Sequence, residues 1–178
     1  GNVSQIFGEL ITLLEEDKRL GNEAELKVKM PYSHSQTEFG VPKNLYIIGT
    51  MNDIDKSVEA FDFALRRRFE WIEVKANNVV QKSLESMGYK VRNSKKLADA
   101  IIHMNNVIST EGQQFGLSEA YHIGHAYFKG VDFDSYEESL TEIFDNNIAS
   151  ILREYTRGRN HNDVILFLDN CKGALLGE

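Results

Sequence analysis

The chain has 178 residues, 42% hydrophobic and 26% charged with only two prolines, an ordinary globular composition that leaves room for one large domain or two small ones. Its net charge of −7 is shared between both halves, which excludes a broad electrostatic grip on DNA by this chain alone. No apolar run approaches the roughly 18 residues of a membrane span and no signal-peptide pattern opens the chain, so no membrane partner is expected.

The first periodic segment, residues 6–19, reads as an amphipathic helix. Ile6, Leu10, Leu13 and Leu14 recur at helical spacing, Ser4 can cap the start, and Gly21-Asn22 punctuates the end. Leu26-Lys27-Val28-Lys29-Met30 alternates apolar and polar and predicts an exposed strand, followed by a polar hairpin loop or excursion over residues 31–40. Leu45-Tyr46-Ile47-Ile48-Gly49 is continuously apolar and bounded by turn signals, the pattern of a strand buried on both faces of a parallel sheet. Thr50-Met51-Asn52-Asp53 is the loop leaving that strand. Ser57 then caps a helix through Val58, Phe61, Ala64 and Leu65 that ends in Arg66-Arg67-Arg68, and Phe69-Glu70-Trp71-Ile72-Glu73-Val74 alternates as a further strand.

After Ala76-Asn77-Asn78 the period turns helical. Helices are predicted over residues 79–87, 94–109, 136–155 and 162–176, with an irregular aromatic stretch, residues 116–128, between the second and third. The expected architecture is therefore α/β followed by all-α: a partial α/β core over residues 1–77 and a helical subdomain over residues 78–178.

Polar residues just past the carboxyl end of a buried strand are where ligands bind in open α/β sheets, and Asn52 stands there. Its amide accepts one hydrogen bond and donates others, which suits holding a water against a phosphate; it equally suits an Asx-turn or a helix cap. The three arginines are the one dense cationic feature of an acidic chain. A guanidinium at a rigid helix end can stabilise charge developing in phosphoryl transfer, or simply sit in solvent against the helix dipole. Not all three can face one way on a helix, so one or two are expected to act and another to pack. His122 and His125 lack a third ligand at convincing spacing, and no metal site is expected. Cys171, the single cysteine, reads as core; it excludes an internal disulfide framework and fits a reducing, cytoplasmic setting.

The sequence contains no G-x-x-x-x-G-K-[ST] loop and no apolar strand ending in Asp-Glu. Gly1-Asn2-Val3-Ser4-Gln5-Ile6-Phe7-Gly8-Glu9-Leu10, Tyr46-Ile47-Ile48-Gly49-Thr50-Met51-Asn52 and Phe61-Asp62-Phe63-Ala64-Leu65-Arg66-Arg67-Arg68-Phe69 together resemble, in the same order, the AAA+ module of the McrB family. That family comprises nucleotide-hydrolysing motor subunits of modification-dependent restriction systems. The resemblance implies a partial AAA+ (P-loop NTPase) core and helical lid that begin just after the Walker B strand, so this piece alone is expected to bind no cofactor and hydrolyse no nucleotide. It implies GTP or ATP with Mg in the full-length protein, self-assembly into a hexameric or other ring, an McrC-like endonuclease partner, and DNA reached through modules outside this chain. Asn52 matches sensor 1, and Arg67 and Arg68 match the trans-acting arginine fingers. Met51-Asn52-Asp53-Ile54-Asp55-Lys56-Ser57 resembles the family's Met-Asn-Thr-Ala-Asp-Arg-Ser; Asp55 is kept as a nucleotide-binding candidate, while Asp53 and Lys56 depart and leave GTP against ATP open. Ile123-Gly124-His125-Ala126-Tyr127-Phe128 is similar to a lid stretch, which makes His125 the sensor-2-like candidate. A MoxR-like AAA+ chaperone ATPase and a non-catalytic interaction module are the alternative readings.

Overall fold

The computed structural model describes residues 8–29, 38–52, 54 and 66–177, and the chain divides into two compact units, Gly1–Ile72 and Glu73–Glu178. In the first, the expected amphipathic helix is two 3-10 turns, Gly8–Leu14 and Glu16–Lys18. Helical stability in proteins comes mainly from packing an amphipathic face, and here Leu13 and Leu14 are the buried residues of that face. The 3-10 period brings i and i+3 together, so Leu10 and Leu13 keep a common side. Arg19 holds the next stretch in place: its Nη1 donates to the Leu45 carbonyl at 2.7 Å and its Nη2 to the Leu14 carbonyl at 3.3 Å. The strand expected at residues 26–30 is short. β1, Val28–Lys29, pairs antiparallel with β2, Glu38–Phe39, with Val28 opposite Phe39 and Lys29 opposite Glu38.

Two expectations are corrected in this unit. Residues 45–49 form no strand, with Tyr46 86% and Ile48 93% exposed, and residues 69–74 form none either, with Ile72 79% exposed. A strand buried on both faces needs hydrogen-bonding neighbours on each side and helices over both faces. Among the described residues, nothing pairs with either segment, and the sheet is the two-stranded β1–β2 ribbon. The helix expected from Ser57 to Leu65 lies outside the described residues.

The second unit is helical, as its sequence period predicts. α1 is Ala76–Ser86, α2 is Val91–Thr110, α3 is Tyr136–Ile143, α4 is Ala149–Tyr155 and α5 is His161–Leu176. Leu97, Ile101, Met104 and Ile108 recur at helical spacing along α2 and are fully buried, meeting Leu84 of α1 and Phe167, Leu168 and Cys171 of α5 in one core. Phe115 meets Phe167 edge-on at 5.3 Å between ring centroids. α5 starts cleanly because the Asn160 side chain accepts from the backbone of Asn162 at 2.9 Å.

One long helix was expected over residues 136–155; the structure inserts a π turn, Phe144–Ile148, between α3 and α4. Leu140, Phe144, Ile148 and Leu152 are all buried at four-residue spacing. On an ideal α-helix that spacing drifts by about 120° over three steps, and a wide turn takes back much of the drift. α1 begins at Ala76, earlier than expected, because Asn77 engages α2 instead of marking a boundary: the Asn105 Nδ2 donates to the Asn77 Oδ1 at 2.8 Å.

Candidate functional site

In the first unit, Asn52 is exposed, and its Oδ1 accepts from the Ile54 amide at 3.4 Å, an Asx-type contact two residues on. Asp53 and Asp55 lie outside the described residues. The three arginines separate. Arg66 stands over the Trp71 ring at 5.3 Å from its centroid, and the Trp71 Nε1 donates to the Arg66 carbonyl at 2.8 Å, so the two side chains close the turn between them. Arg67 is exposed. The Arg68 side chain is only 6% exposed and forms an ion pair from Nη2 to the Glu15 Oε1. Asn52, Arg66 and Arg68 are thus each engaged by a different partner within their unit.

In the second unit, His125 opens a short 3-10 turn, His125–Phe128, with Phe128 in the core and Tyr127 exposed. The backbone on either side is tied down by side chains. Asn105, buried within α2, accepts the Ile123 N–H on its Oδ1 at 2.8 Å and donates from Nδ2 to the Ile123 carbonyl at 3.1 Å. The Tyr89 hydroxyl donates to the Phe128 carbonyl at 2.8 Å and accepts the Val131 N–H at 2.7 Å. Beside this loop, the Lys75 Nζ and the Glu119 Oε2 form an exposed ion pair at 2.6 Å. Their mutual hydrogen bond lowers the Glu119 pKa and raises that of Lys75. Burial holds the His122 imidazole below its ordinary 6.5, with the Glu119 carboxylate pulling the other way. Burial likewise pushes the Cys171 thiol up to about 12, which leaves it a neutral core residue. Among the described residues, no three His, Cys, Asp or Glu side chains gather as a metal-binding group.

Comparison with known proteins decides between the families. The family model for the McrB alpha-helical lid domain matches residues 96–162, and that for the AAA domain of the dynein-related subfamily matches residues 2–69. The Type IV methyl-directed restriction enzyme EcoKMcrB subunit of Escherichia coli (strain K12) is 36% identical over 166 residues, covering 86% of this chain and 34% of the relative. This chain belongs to the McrB family of AAA+ proteins. It spans about a third of the length of that McrB relative.

The two family matches divide the candidate residues. Asn52 and the three arginines fall within the AAA-domain match, and Asn105 and His125 within the McrB lid match. Sequence reasoning missed Glu15, Asn105 and Tyr89. Asn105 was detectable: it sits four residues after Ile101 and three before Ile108, a polar side chain in the apolar stripe of a helix. Glu15 and Tyr89 carry no comparable signal, because their partners lie far along the chain.

Proposed function

We propose that this chain provides the sensor, finger and lid portion of a nucleotide-hydrolysing AAA+ motor in a methyl-directed DNA restriction system. The reading is supported above all by the paired AAA-domain and McrB-lid matches, in that order, in one chain that is 36% identical to a methyl-directed restriction enzyme subunit. Residues 1–77 then belong to the AAA+ core and residues 78–178 to the lid.

In this reading Asn52 is sensor 1. Its Oδ1 is engaged by the Ile54 amide, so its Nδ2 donors are the groups offered to a γ-phosphate oxygen or to the attacking water. Arg67, exposed at the turn, is the finger that reaches the nucleotide of a neighbouring copy and neutralises charge on the transferring phosphoryl group. Arg68 joins it only by leaving Glu15. Asp55 in the sensor loop and His125 in the lid are the further nucleotide-binding candidates. Magnesium in such sites is held through one or two carboxylates and the phosphates, and it supplies charge neutralisation. The groups this chain offers to the nucleotide are the Asn52 amide, the Arg67 guanidinium, the Asp55 carboxylate and the His125 imidazole. A finger given in trans couples hydrolysis to ring assembly, and the motor serves an McrC-like endonuclease in the cytoplasm, with DNA contacted by other modules.

The test is hydrolysis of GTP and of ATP by the complete protein carrying Arg67→Ala, alone and with Arg68→Ala. Loss of turnover with nucleotide binding retained is expected. Turnover is expected to return when the variant is mixed with a phosphate-loop variant whose arginines are intact. Wild-type turnover in the double arginine variant would sink the finger assignment and leave these residues as a surface for an acidic partner.

A further inference from the structure

The loop that carries His125 is fastened at both ends by side chains that the proposed chemistry does not use. At the first end, the buried Asn105 amide brackets Ile123, accepting from its N–H and donating to its carbonyl, while a further Nδ2 contact reaches Asn77 of α1 at 2.8 Å. An Asn amide has two donors and one carbonyl acceptor, and here both ends are engaged. At the second end, the Tyr89 hydroxyl, in the link between α1 and α2, serves as donor to Phe128 and acceptor from Val131. Between the two fastenings, a Cβ built on Gly124 would meet nothing within 4 Å, so the backbone beside His125 faces open space.

The apolar anchors of this loop, Ile123 and Phe128, are already buried. They would hold the loop to the core but leave its backbone free to rotate about two greasy contacts. A buried amide is costly unless every hydrogen bond is made, and what it adds over an apolar residue is a fixed backbone direction. Asn105 sets the direction in which the chain enters Gly124, and Tyr89 sets the direction in which it leaves Phe128.

We infer that Asn105 and Tyr89 are positioning residues for the nucleotide contact of His125, fixing the backbone of residues 123–131 so that the imidazole is presented in one orientation. The inference rests on the proposed assignment of His125 to the nucleotide.

Tyr89→Phe is the sharpest test, since it removes one hydroxyl and keeps the edge-on contact of the ring with Phe133 at 5.7 Å. In the complete protein, its KM for GTP and for ATP is measured beside Asn105→Ser, His125→Ala and the Tyr89→Phe/His125→Ala pair. Tyr89→Phe is expected to raise KM at least about fivefold, the equivalent of one of the two hydrogen bonds its hydroxyl makes, with kcat retained. Amide exchange over residues 124–131 is expected to quicken, and the pair is expected to be no worse than His125→Ala alone. If His125→Ala raises KM and Tyr89→Phe leaves it unchanged, or if the two effects multiply in the pair, the positioning role is overturned while the His125 assignment stands. If His125→Ala changes nothing, the assignment itself fails and the inference with it. Should Asn105→Ser not fold, Tyr89→Phe decides the matter.

Discussion

Arg66, Arg67 and Arg68 are chemically identical and adjacent, yet their surroundings give them different work. Arg66, exposed, stands over Trp71, Arg68 is paired with Glu15, and Arg67 is exposed. The spacing limited how many could face one way but could not reveal that Arg68 is paired, because Glu15 and Arg68 are far apart in the chain and meet only through folding. Glu15→Gln leaves a largely buried guanidinium facing a neutral amide. It is expected to lower the stability of the first unit by about 1.5–3 kcal/mol, the worth of a hydrogen bond to a charged group. Urea unfolding followed by the fluorescence of Trp71, the sole tryptophan, reads this directly. A second residue-scale expectation concerns His122, whose folded pKa is lowered by burial from 6.5. Above that value both folded and unfolded chains hold a neutral imidazole. As pH falls below it, the unfolded chain takes up a proton that the folded chain resists, so stability declines until the lowered folded value is passed and then levels. Denaturant unfolding across this window should show the decline in the wild type and a flatter profile in His122→Gln. Equal profiles would mean that other groups govern the acid limb.

Along the elements, the helical unit follows its sequence closely because each helix carries its own period and its own stops. Asn160 caps α5; Asn160→Ala is expected to cost about 1 kcal/mol, measured by thermal or urea unfolding. The π turn was not legible as such, although its cause was in view: four apolar residues spaced by fours ask for a wider turn than the α-helix gives. Removing one residue from the turn, by deleting Asn146 or Asn147, converts the apolar spacing to one that an α-helix satisfies. The deletion is expected to keep full helical circular dichroism and a single cooperative unfolding transition, whereas loss of cooperativity would show that the turn does more than correct phase. Strand readings at residues 45–49 and 69–74 failed for a different reason. A strand is defined by its neighbours, and no local pattern reveals whether those neighbours are present.

At the scale of the molecule, the two units differ in how well they satisfy their own apolar residues. The helical unit closes a continuous core, while the first unit leaves Tyr46, Ile48 and Ile72 on its surface. Exposed extended apolar segments are templates for pairing with another chain. Ile48→Lys is expected to reduce self-association of this chain in sedimentation at rising concentration; an unchanged profile would mean that this segment is not the one that sticks. The candidate site had a similar split in legibility. Asn52 and the arginines could be named from position and charge, and the family assignment followed from residues in order, but the ties that orient His125 became visible only once distant side chains were brought together. Those ties have a mechanical consequence. α2 is 20 residues long, about 30 Å at 1.5 Å per residue, and the His125 loop is riveted to it through Asn105 instead of hanging from it. A push on that loop therefore finds little slack to absorb it: the load passes into a stiff rod, and the rod delivers it to the helices packed along its length.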